Sequence, residues 1–425
     1  MTVAIYSLGC KVNIYESEYV EELLKNHGYT IVPFDEIADI YIINTCSVTN
    51  ESDRKSRKII NQAKRKNKDA IIAVMGCYSQ VKPDEIEADI ILGNQDKSKI
   101  LDYLNEYREK KKNIKKIYNL REISSFENMF IENFDNHTRA FVKIEDGCNA
   151  FCSYCIIPYT RGKIRSKEEK TVIKEVTNLV KKGYHEIVLT GIHTGKYGTD
   201  LENTNLEQLL RKLITIPNLY RIRLSSIEIN EITDGILEIL RESNIIANHL
   251  HIPLQSGSNK ILKLMNRKYN KEEFIEKIKK IRSIRKEISI TTDLIVGFPN
   301  ETEKDFEETI ETIKKIGFTK IHTFPYSKRE GTVASQMKDQ IDGVTKKKRV
   351  RTILNLSNEL EKEYYKKYIG VSFEGVTEEK KDGTTLVHTS NFIPIHIKEK
   401  VSNNKIVKVK IEKIMENIIV IGNLI

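Results

Sequence analysis

Apolar runs and amphipathic segments alternate through the first 96 residues of the chain. The apolar runs that predict buried strands are residues 4–8, 41–46, 70–77 and 89–94. Amphipathic segments at Glu16–Asn26 and Asp53–Lys66 predict helices, and Gly28 is placed to end the first of them. Strands that alternate with helices are typical of a doubly wound parallel sheet. The sequence therefore predicts an α/β fold for an N-terminal domain over residues 1–112.

The middle of the chain repeats a strand–helix pattern after a charged stretch. Residues 113–137 predict an inter-domain linker, and the basic run at 110–116 favours a solvated segment. Between 138 and 365, helices are predicted at 170–182 and 303–316. The predicted strands are 140–147, 186–191, 221–226, 249–255, 290–298 and 320–326. Six such units predict a partial (β/α)6 barrel, with its chemistry at the carboxyl ends of the strands.

The pattern changes to short strands and turns from residue 366 to 425. The predicted strands are 371–379, 383–390, 393–399, 405–414 and 418–425. Five short strands of this kind predict a small antiparallel β-barrel. The segment contains 10 Lys against 7 acidic residues, and small barrels with a basic face often hold RNA.

Composition places the chain among globular proteins. Apolar residues make up 39% and charged residues 31% of the sequence, which is not typical of a disordered chain. No apolar run reaches the roughly 18 residues of a membrane span, and no signal peptide is recognisable, so we expect a cytoplasmic protein with no membrane partner. The net charge of +10 suits a nucleic-acid partner and is equally compatible with a solvated lysine-rich surface.

The six cysteines fall in two groups of three. Cys10, Cys46 and Cys77 each end one of the first three strong strands. Because ligands gather at the carboxyl ends of strands in open α/β sheets, these three cysteines are expected to converge on one site. Each of them could also be an ordinary buried thiol.

The second group forms the motif Cys148-x3-Cys152-x2-Cys155, directly after the first barrel strand. Three thiolates on one short loop can ligate three irons of a [4Fe–4S] cluster and leave the fourth iron open. A zinc site or a redox thiol set is the alternative. Zinc normally takes four closed ligands, which fits this motif poorly.

The cysteine loop and the barrel resemble the radical S-adenosylmethionine (SAM) superfamily, with Tyr154 as the aromatic residue before the last cysteine. The N-terminal segments 7–13, 15–18, 44–46 and 75–77 resemble the methylthiotransferases, and the C-terminal barrel is similar to their RNA-binding TRAM domain. The start SLGCKVN most resembles the branch that acts on N6-threonylcarbamoyladenosine in tRNA. The isopentenyladenosine branch usually has Gln-Met-Asn there, and the ribosomal-protein branch a Lys-Asn pair.

The resemblance implies a tRNA methylthiotransferase with two [4Fe–4S] clusters and SAM. Cys10, Cys46 and Cys77 would hold an auxiliary cluster that carries sulfur, and Cys148, Cys152 and Cys155 the cluster that cleaves SAM. The resulting radical would remove hydrogen from C2 of the adenosine at position 37, beside the anticodon. The implied partners are a tRNA anticodon stem-loop, an electron donor such as flavodoxin or ferredoxin, and a sulfur source.

Strand-end residues match positions where the superfamily binds SAM. A glycine or serine at a strand end is also common in simple turns, so each residue alone is a weak signal. The predicted cofactor-binding residues are Tyr154, Gly191, Ser225, Glu228, Gln255, Ser256, Gly257, Asp293, Ile295 and Gly297. Arg161 and Arg165 are expected either to bind a carboxylate or phosphate, or to form surface salt bridges.

Three other functions remain open at this point. A methylthiotransferase of isopentenyladenosine tRNA or of a ribosomal protein would share every cysteine. A non-enzymatic RNA-binding iron–sulfur protein that senses redox state would need no SAM pocket. The complete barrel and its strand-end motifs argue against the sensor, and the basic C-terminal barrel argues against the ribosomal protein.

Overall fold

The computed structural model describes residues 1–134, 138–380 and 383–425. Positions 135–137 of the predicted linker lie outside the described residues. Three structural units follow one another along the chain, as the sequence predicts: a parallel sheet with helices, a partial barrel and a small closed barrel.

The N-terminal unit is a parallel sheet of six strands in the order β2-β1-β3-β4-β5-β6. Its strands are β1 (Thr2–Ser7), β2 (Thr30–Val32), β3 (Ile40–Thr45), β4 (Ile71–Gly76), β5 (Ile90–Leu92) and β6 (Ile114–Lys116). Its helices are α1 (Lys11–Asn26), α2 (Asn50–Lys66), α3 (Cys77–Val81) and α4 (Ile100–Lys110). β3 and β4 are buried along their whole length, as expected for central strands covered on both faces.

Three details of this unit differ from the sequence prediction. Helix α1 begins at Lys11 instead of Glu16, because Cys10 in extended conformation already occupies the N-cap position. Strand β2 is too short and too exposed to give an apolar signal. Residues 114–116, predicted as solvated linker, form edge strand β6, because Ile114 is buried against the sheet and pairs with Ile90.

The central unit has the six parallel strands of the predicted partial barrel, in two three-stranded sheets, β7-β10-β11 and β12-β13-β14, whose edge strands β11 and β12 lie in contact. Its strands are β7 (Ala140–Lys143), β8 (Glu145–Asp146), β9 (Arg165–Ser166), β10 (Glu186–Thr190), β11 (Arg221–Leu224), β12 (His249–His251), β13 (Ser289–Val296) and β14 (Lys320–Pro325), of which β8 and β9 form a separate antiparallel pair. Its helices are α5 (Ile157–Thr160), α6 (Glu169–Lys181), α7 (Leu206–Leu213), α8 (Asp234–Glu242), α9 (Asn259–Leu264), α10 (Lys271–Ile284), α11 (Glu303–Ile316), α12 (Val333–Gln336) and α13 (Gly343–Lys366).

The C-terminal unit is a closed barrel in the order β15-β16-β17-β19-β18. Its strands are β15 (Ser372–Glu379), β16 (Thr385–Thr389), β17 (Pro394–Ile397), β18 (Ile406–Ile414) and β19 (Val420–Leu424). The expected antiparallel pairing is wrong at one place, since β17 and β19 pair in parallel to close the barrel.

The N-terminal unit packs directly on the barrel. Tyr15 of α1 is fully buried in the hydrophobic core that the barrel strands and helices form. Its hydroxyl donates a hydrogen bond to the Glu175 carboxylate of α6 at 2.8 Å. The first helix therefore fixes the two units to each other. Among the described residues, no helix has both the length and the apolar character that a membrane crossing requires.

Candidate functional site

The carboxyl ends of β1, β3 and β4 bring Cys10, Cys46 and Cys77 together. Cys10 caps α1, Cys46 follows β3, and Cys77 begins α3. Gly9 has φ +100°, and a Cβ atom at this position would lie 2.9 Å from the Cys46 sulfur. Only glycine therefore lets the Cys10 loop approach Cys46 so closely. These three residues form what we call the N-terminal triad.

Asn13 fastens two loops of the N-terminal triad. Its side-chain nitrogen donates to the carbonyl oxygens of Leu8 at 2.7 Å and Thr45 at 3.0 Å. Leu8 lies two residues before Cys10, and Thr45 lies immediately before Cys46. Arg161 of the barrel unit in turn donates to the Asn13 side-chain oxygen at 2.6 Å. A residue of the barrel thus orients the loops of the N-terminal triad.

Three neighbouring thiolates are unfavourable without a cation. Burial raises the pKa of Cys46 to about 11, and the negative charges of Cys77 and Cys10 add to the effect. Burial also raises the pKa of Cys10. A bound metal ion or cluster stabilises such thiolates directly, because it supplies the missing positive charge. Among the described residues, no three ligating side chains are placed to hold a single metal ion, so the donor type suits a larger sulfur-ligated cluster.

Cys148, Cys152 and Cys155 form the second site, the barrel triad, on the loop after β8. The Cys148 sulfur accepts a hydrogen bond from the Ala150 amide at 3.4 Å, and the Cys152 sulfur accepts one from Arg267 at 3.4 Å. Phe151 has φ +47° in this loop, a left-handed turn that a non-glycine residue adopts at a cost. Burial, followed by the charges of Cys152 and Cys148, raises the pKa of Cys155 to about 12.

The donor sets fit iron–sulfur clusters with an open iron. The chain contains six cysteines, so each triad has three and no fourth cysteine remains for either. Three thiolates fall one short of the closed set that structural zinc prefers. Three thiolates do match three corners of a [4Fe–4S] cluster.

A cavity of about 220 Å³ lies beside Cys155 of the barrel triad. Val48 and Thr49, which follow Cys46 in the chain, line it together with Tyr154 and Cys155. We call it the central cavity. A second cavity of about 350 Å³ lies beside Cys152, and Glu228 and Arg267 line it. The barrel triad therefore adjoins both cavities, and the segment after Cys46 reaches the central cavity.

Five of the residues predicted to bind SAM line these two cavities. Tyr154, Gln255, Asp293 and Ile295 lie on the central cavity, and Glu228 lies on the cavity beside Cys152. Near them, Ser225 Oγ and Glu145 Oε1 are buried with no hydrogen-bond partner in the described parts of the chain. Buried polar atoms without partners are costly in a protein alone, which indicates a polar ligand at this end of the barrel.

The other predicted residues have contacts that explain them structurally. A Cβ atom at Gly257 would lie 2.7 Å from the Thr309 backbone, and Ser256 lies within 3.5 Å of the Thr309 hydroxyl. Gly297 has φ +69° and donates its amide to Glu301 at 2.6 Å. A Cβ atom at Gly191 would lie 2.8 Å from the Glu145 carboxylate. These residues shape the loops around the site.

Arg161 is the centre of a buried charge network between the two triads. It lies 3.0 Å from the carboxylates of both Glu16 and Asp146, and Lys143 also pairs with both acids. Arg161 and Arg165 are 0% and 2% exposed, so the expectation of surface salt bridges is wrong. The sequence could not show this burial, because Arg161 and Glu16 are 145 positions apart.

We expect Arg161→Met to destabilise the protein by about 3 kcal/mol. Methionine would fill a similar volume and remove one cation from two buried carboxylates, which keep Lys97, Lys143 and Arg165 as partners. Breaking a buried pair costs about 3–5 kcal/mol. Denaturant unfolding at neutral pH measures the change. The control is Arg54→Met, whose exposed pair with Glu51 is expected to contribute little to stability, because solvent screens it. Equal stability of the two variants would contradict the role of Arg161 at the interface.

Two side chains near the barrel triad were given no role by sequence reasoning. His193 Nδ1 lies 3.3 Å from the Cys148 sulfur, and its other ring nitrogen lies 2.6 Å from Glu231. Burial raises the pKa of Glu145 to about 8, while its carboxylate accepts the His193 amide at 2.6 Å. Their position at strand ends was the only available signal, and strand ends also hold many structural residues.

Comparison with protein families identifies two regions of the chain. Residues 142–313 match the radical SAM superfamily. Residues 2–95 match an uncharacterised protein family, UPF0004. The first match covers the open barrel and its cysteine loop, and the second covers the sheet that carries the N-terminal triad.

Curated relatives span nearly the whole chain. The threonylcarbamoyladenosine tRNA methylthiotransferase MtaB of Bacillus subtilis is 45% identical over 97% of this chain and 94% of the relative. The enzyme of the same name from Aquifex aeolicus is 41% identical over 93% of this chain and 96% of the relative. A tRNA-2-methylthio-N(6)-dimethylallyladenosine synthase of Clostridium botulinum is 37% identical over 96% of this chain and 94% of the relative.

Solved structures share the fold at low sequence identity. The radical SAM methyltransferase TsrM from Kitasatospora setae, with tryptophan and a SAM analogue bound, has a TM-score of 0.56 and 13% identity, covering 76% of this chain and 72% of that one. The same enzyme with cobalamin and a [4Fe–4S] cluster has a TM-score of 0.55 and 13% identity, covering 79% and 77%.

Proposed function

Because this chain belongs to the methylthiotransferase family of radical SAM enzymes, we propose that it methylthiolates C2 of N6-threonylcarbamoyladenosine in tRNA. The modified nucleoside is position 37, beside the anticodon. The product is the 2-methylthio derivative. The enzyme is thus a transferase, and its relatives of 41–45% identity carry the name of this activity.

The observation that carries the proposal is the central cavity, which is lined both by Cys155 of the barrel triad and by Val48 and Thr49, just after Cys46 of the N-terminal triad. A methylthio transfer to an unactivated carbon needs one centre that generates a radical and another that carries sulfur. The loop after Cys46 and the loop of Cys155 line the same central cavity. A lone radical SAM centre would not need a second cysteine triad at this position.

The family uses SAM and [4Fe–4S] clusters as cofactors, and the triads are the candidates to hold them. We assign Cys148, Cys152 and Cys155 to the cluster that binds SAM, and Cys10, Cys46 and Cys77 to the auxiliary cluster. With these cofactors bound, the barrel centre supplies a radical that can break a C–H bond which acid–base catalysis cannot break.

The chain's own residues position the loops and exclude water. Arg161 and Asn13 fix the Cys10 and Cys46 loops against the barrel unit. Tyr154 and Tyr326 line the central cavity and cover it with aromatic surface, which limits access of water to a reactive intermediate. The ion pair of Arg267 with Glu228 orients the donor that contacts the Cys152 sulfur.

We assign the domains as proposed from the sequence, with one adjustment. The N-terminal methylthiotransferase domain extends from residue 1 to about 116, since β6 belongs to its sheet. The radical SAM core spans 138–365, and the TRAM-like RNA-binding domain spans 366–425. The basic surface of that last domain would contact the anticodon stem-loop.

The proposed reaction also needs two partners besides tRNA. A flavodoxin or ferredoxin would supply electrons, and a separate donor would replace the sulfur that the auxiliary site transfers. The cytoplasm is the compartment that holds these partners.

Mass spectrometry of tRNA nucleosides tests the proposed function. Cells without this protein should lack 2-methylthio-N6-threonylcarbamoyladenosine and accumulate its unthiolated precursor. Persistence of the methylthio nucleoside would reject this substrate. Loss of the methylthio derivative of isopentenyladenosine would instead assign the protein to the isopentenyladenosine branch. Loss of a methylthio group on a ribosomal protein would assign it to the ribosomal-protein branch. Failure of the purified protein to cleave SAM under reducing conditions would favour the redox sensor.

A further inference from the structure

The connection between β14 and α12 contacts the loops of both triads. It leaves the barrel after Pro325 and enters α12 at Val333. One of its side chains reaches the segment after Cys46, and a backbone amide at its end reaches the loop of the barrel triad. We call residues 327–334 the bridging loop, because this segment extends from one triad to the other.

Arg329 fastens the bridging loop to the N-terminal unit. Its guanidinium group donates hydrogen bonds to the side chains of Ser47, Asn50 and Asp53, each at 2.8 Å. Ser47 directly follows Cys46, and Asp53 lies in the first turn of α2. Arg329 is 5% exposed and Asp53 is 4% exposed, so water does not compete for these bonds. A planar guanidinium group with three fixed acceptors holds the segment after Cys46 in both position and direction.

The far end of the bridging loop is attached to the barrel triad. The Ala334 amide donates to the Ser153 carbonyl at 2.7 Å, and Ser153 lies between Cys152 and Cys155. Both Ala334 and Ser153 are buried. Because backbone atoms take part on both sides, the bond fixes the path of the cysteine loop itself. The bridging loop therefore contacts a residue next to a cysteine in each triad.

Hydrogen bonds within the bridging loop make it stiff. The Thr332 hydroxyl donates to the Arg329 carbonyl at 2.7 Å, and the Ser335 hydroxyl donates to the Thr332 carbonyl at 2.6 Å. Arg329 and Ala334 are only five positions apart. A short segment held by such local bonds has few other conformations, so a displacement at Arg329 is passed on to Ala334.

The start of the bridging loop also forms a wall of the central cavity. Tyr326 and Ser327 line this cavity together with Val48 and Thr49. The Ser327 hydroxyl accepts a hydrogen bond from the Asn50 amide at 3.1 Å, which holds the two linings against each other. The contacts that join the triads thus also set the width of the cavity beside the barrel triad.

Arg329 engages a different element of the N-terminal unit from the contacts described above. The interface contacts of Asn13, Tyr15 and Glu16 all lie on α1. Arg329 instead contacts the connection from β3 to α2 and the start of α2. Contacts on one helix leave the sheet free to tilt about that helix, and a contact on a second element opposes the tilt. Arg329 therefore acts on the orientation of the N-terminal triad.

We propose that the bridging loop, with Arg329 as its positioning residue, sets the spacing of the two triads and thereby couples radical formation to methylthio transfer. This inference rests on the proposed function and identifies the part of the chain that joins its two centres. Hydrogen is removed from C2 and sulfur is delivered to C2 at different triads, so transfer requires that both reach one atom. A displacement of about 1 Å can slow a reaction about 100-fold, even when all reacting groups are present.

The test is Arg329→Met in the full chain with both clusters, assayed on an anticodon stem-loop that contains N6-threonylcarbamoyladenosine. The assay compares the methylthio nucleoside with 5′-deoxyadenosine, the product of SAM cleavage. We expect the ratio of methylthio nucleoside to 5′-deoxyadenosine to fall at least about tenfold, because SAM cleavage needs only the barrel triad. Iron content and the KM for SAM should stay at wild-type values.

Two milder variants grade the effect. Asp53→Asn keeps the shape of the side chain and removes the charge that Arg329 meets, so it should lower the product ratio in the same direction. Ser47→Ala leaves Arg329 bonded to Asn50 and Asp53, so it should keep the wild-type ratio.

Hydrogen exchange gives a readout that does not depend on activity. In Arg329→Met, residues 46–53 and 326–335 should exchange faster than in the wild type, because these segments lose their mutual hydrogen bonds. The matched control is Arg285→Met, which also loses three acceptors, the carbonyl oxygens of Leu240, Ser243 and Ile246. Arg285 lies between α10 and β13, at the amino end of the barrel strands. This control should keep the wild-type product ratio and the wild-type exchange of both segments.

The outcomes separate this inference from the proposed function. A wild type that forms no methylthio nucleoside would show that the proposed function is wrong. If the wild type forms it and Arg329→Met keeps the wild-type ratio, only the role of the bridging loop is wrong. Loss of iron from Arg329→Met, or an equal fall of both products, would also overturn the inference, because Arg329 would then act in cluster binding or folding. If Arg329→Met does not fold, Asp53→Asn decides in its place by the same ratio.

Discussion

Replacing Cys46 with alanine should abolish methylthio transfer while SAM cleavage at the barrel triad continues. Cys46 contributes one of three sulfurs to the N-terminal triad and follows β3 of the N-terminal sheet, whereas Cys148, Cys152 and Cys155 lie on a loop of the barrel unit. Changes one shell beyond a metal ligand cost about 10–100-fold, so loss of a ligand itself should reduce transfer by more than about 100-fold. Iron should fall from about eight to about four atoms per chain.

The measurement pairs two products of the same reaction mixture. Chromatography follows 5′-deoxyadenosine, and mass spectrometry of the digested tRNA follows the methylthio nucleoside. The control is Ser47→Ala, which removes two buried hydrogen bonds, one donated to Asp53 and one accepted from Arg329, and no thiolate. It should lower stability by about 2 kcal/mol, at about 1 kcal/mol per hydrogen bond, and keep both products. Full methylthio transfer by Cys46→Ala would disprove the assignment of the auxiliary site.

The sequence predicted the two triads because their information is local. The barrel cysteines lie within eight positions of one another, and the other three lie at the ends of strands whose parallel order follows from alternation with helices. The strand ends of the barrel were equally visible as short apolar runs followed by glycine or serine. Five of the ten predicted SAM residues line the cavities, since strand-end position is a sound but incomplete criterion.

The relation between the two triads could not be predicted. It depends on Arg161, which pairs with Glu16 across 145 positions, and on Asn13, which gains its contacts because α1 begins earlier than the amphipathic pattern indicates. Long-range contacts of this kind leave no periodicity in the sequence. The burial of Ile114 in β6 could not be predicted either. Five of the seven residues in the run 110–116 are lysines, which gives no apolar pattern, and the strand forms only by pairing with β5.

Replacing Cys155 with alanine should abolish both SAM cleavage and methylthio transfer. Burial raises the pKa of Cys155 to about 12, and a bound cation would offset this cost by stabilising the thiolate. Without it, two thiolates remain where a site-differentiated cluster needs three. No radical can then form, and we expect 5′-deoxyadenosine to fall by more than about 100-fold. About four iron atoms per chain should stay at the N-terminal triad.

The matched control is Ser153→Ala in the same loop. Its hydroxyl donates to the Leu264 carbonyl at 2.7 Å, so the variant loses one hydrogen bond, about 1 kcal/mol, and should keep SAM cleavage. Both Cys46→Ala and Cys155→Ala should lose about four iron atoms per chain, but only Cys155→Ala should lose 5′-deoxyadenosine. This combination requires that the triads hold separate centres with separate tasks. Continued SAM cleavage by Cys155→Ala would refute that division, because the radical would then have to arise at the N-terminal triad.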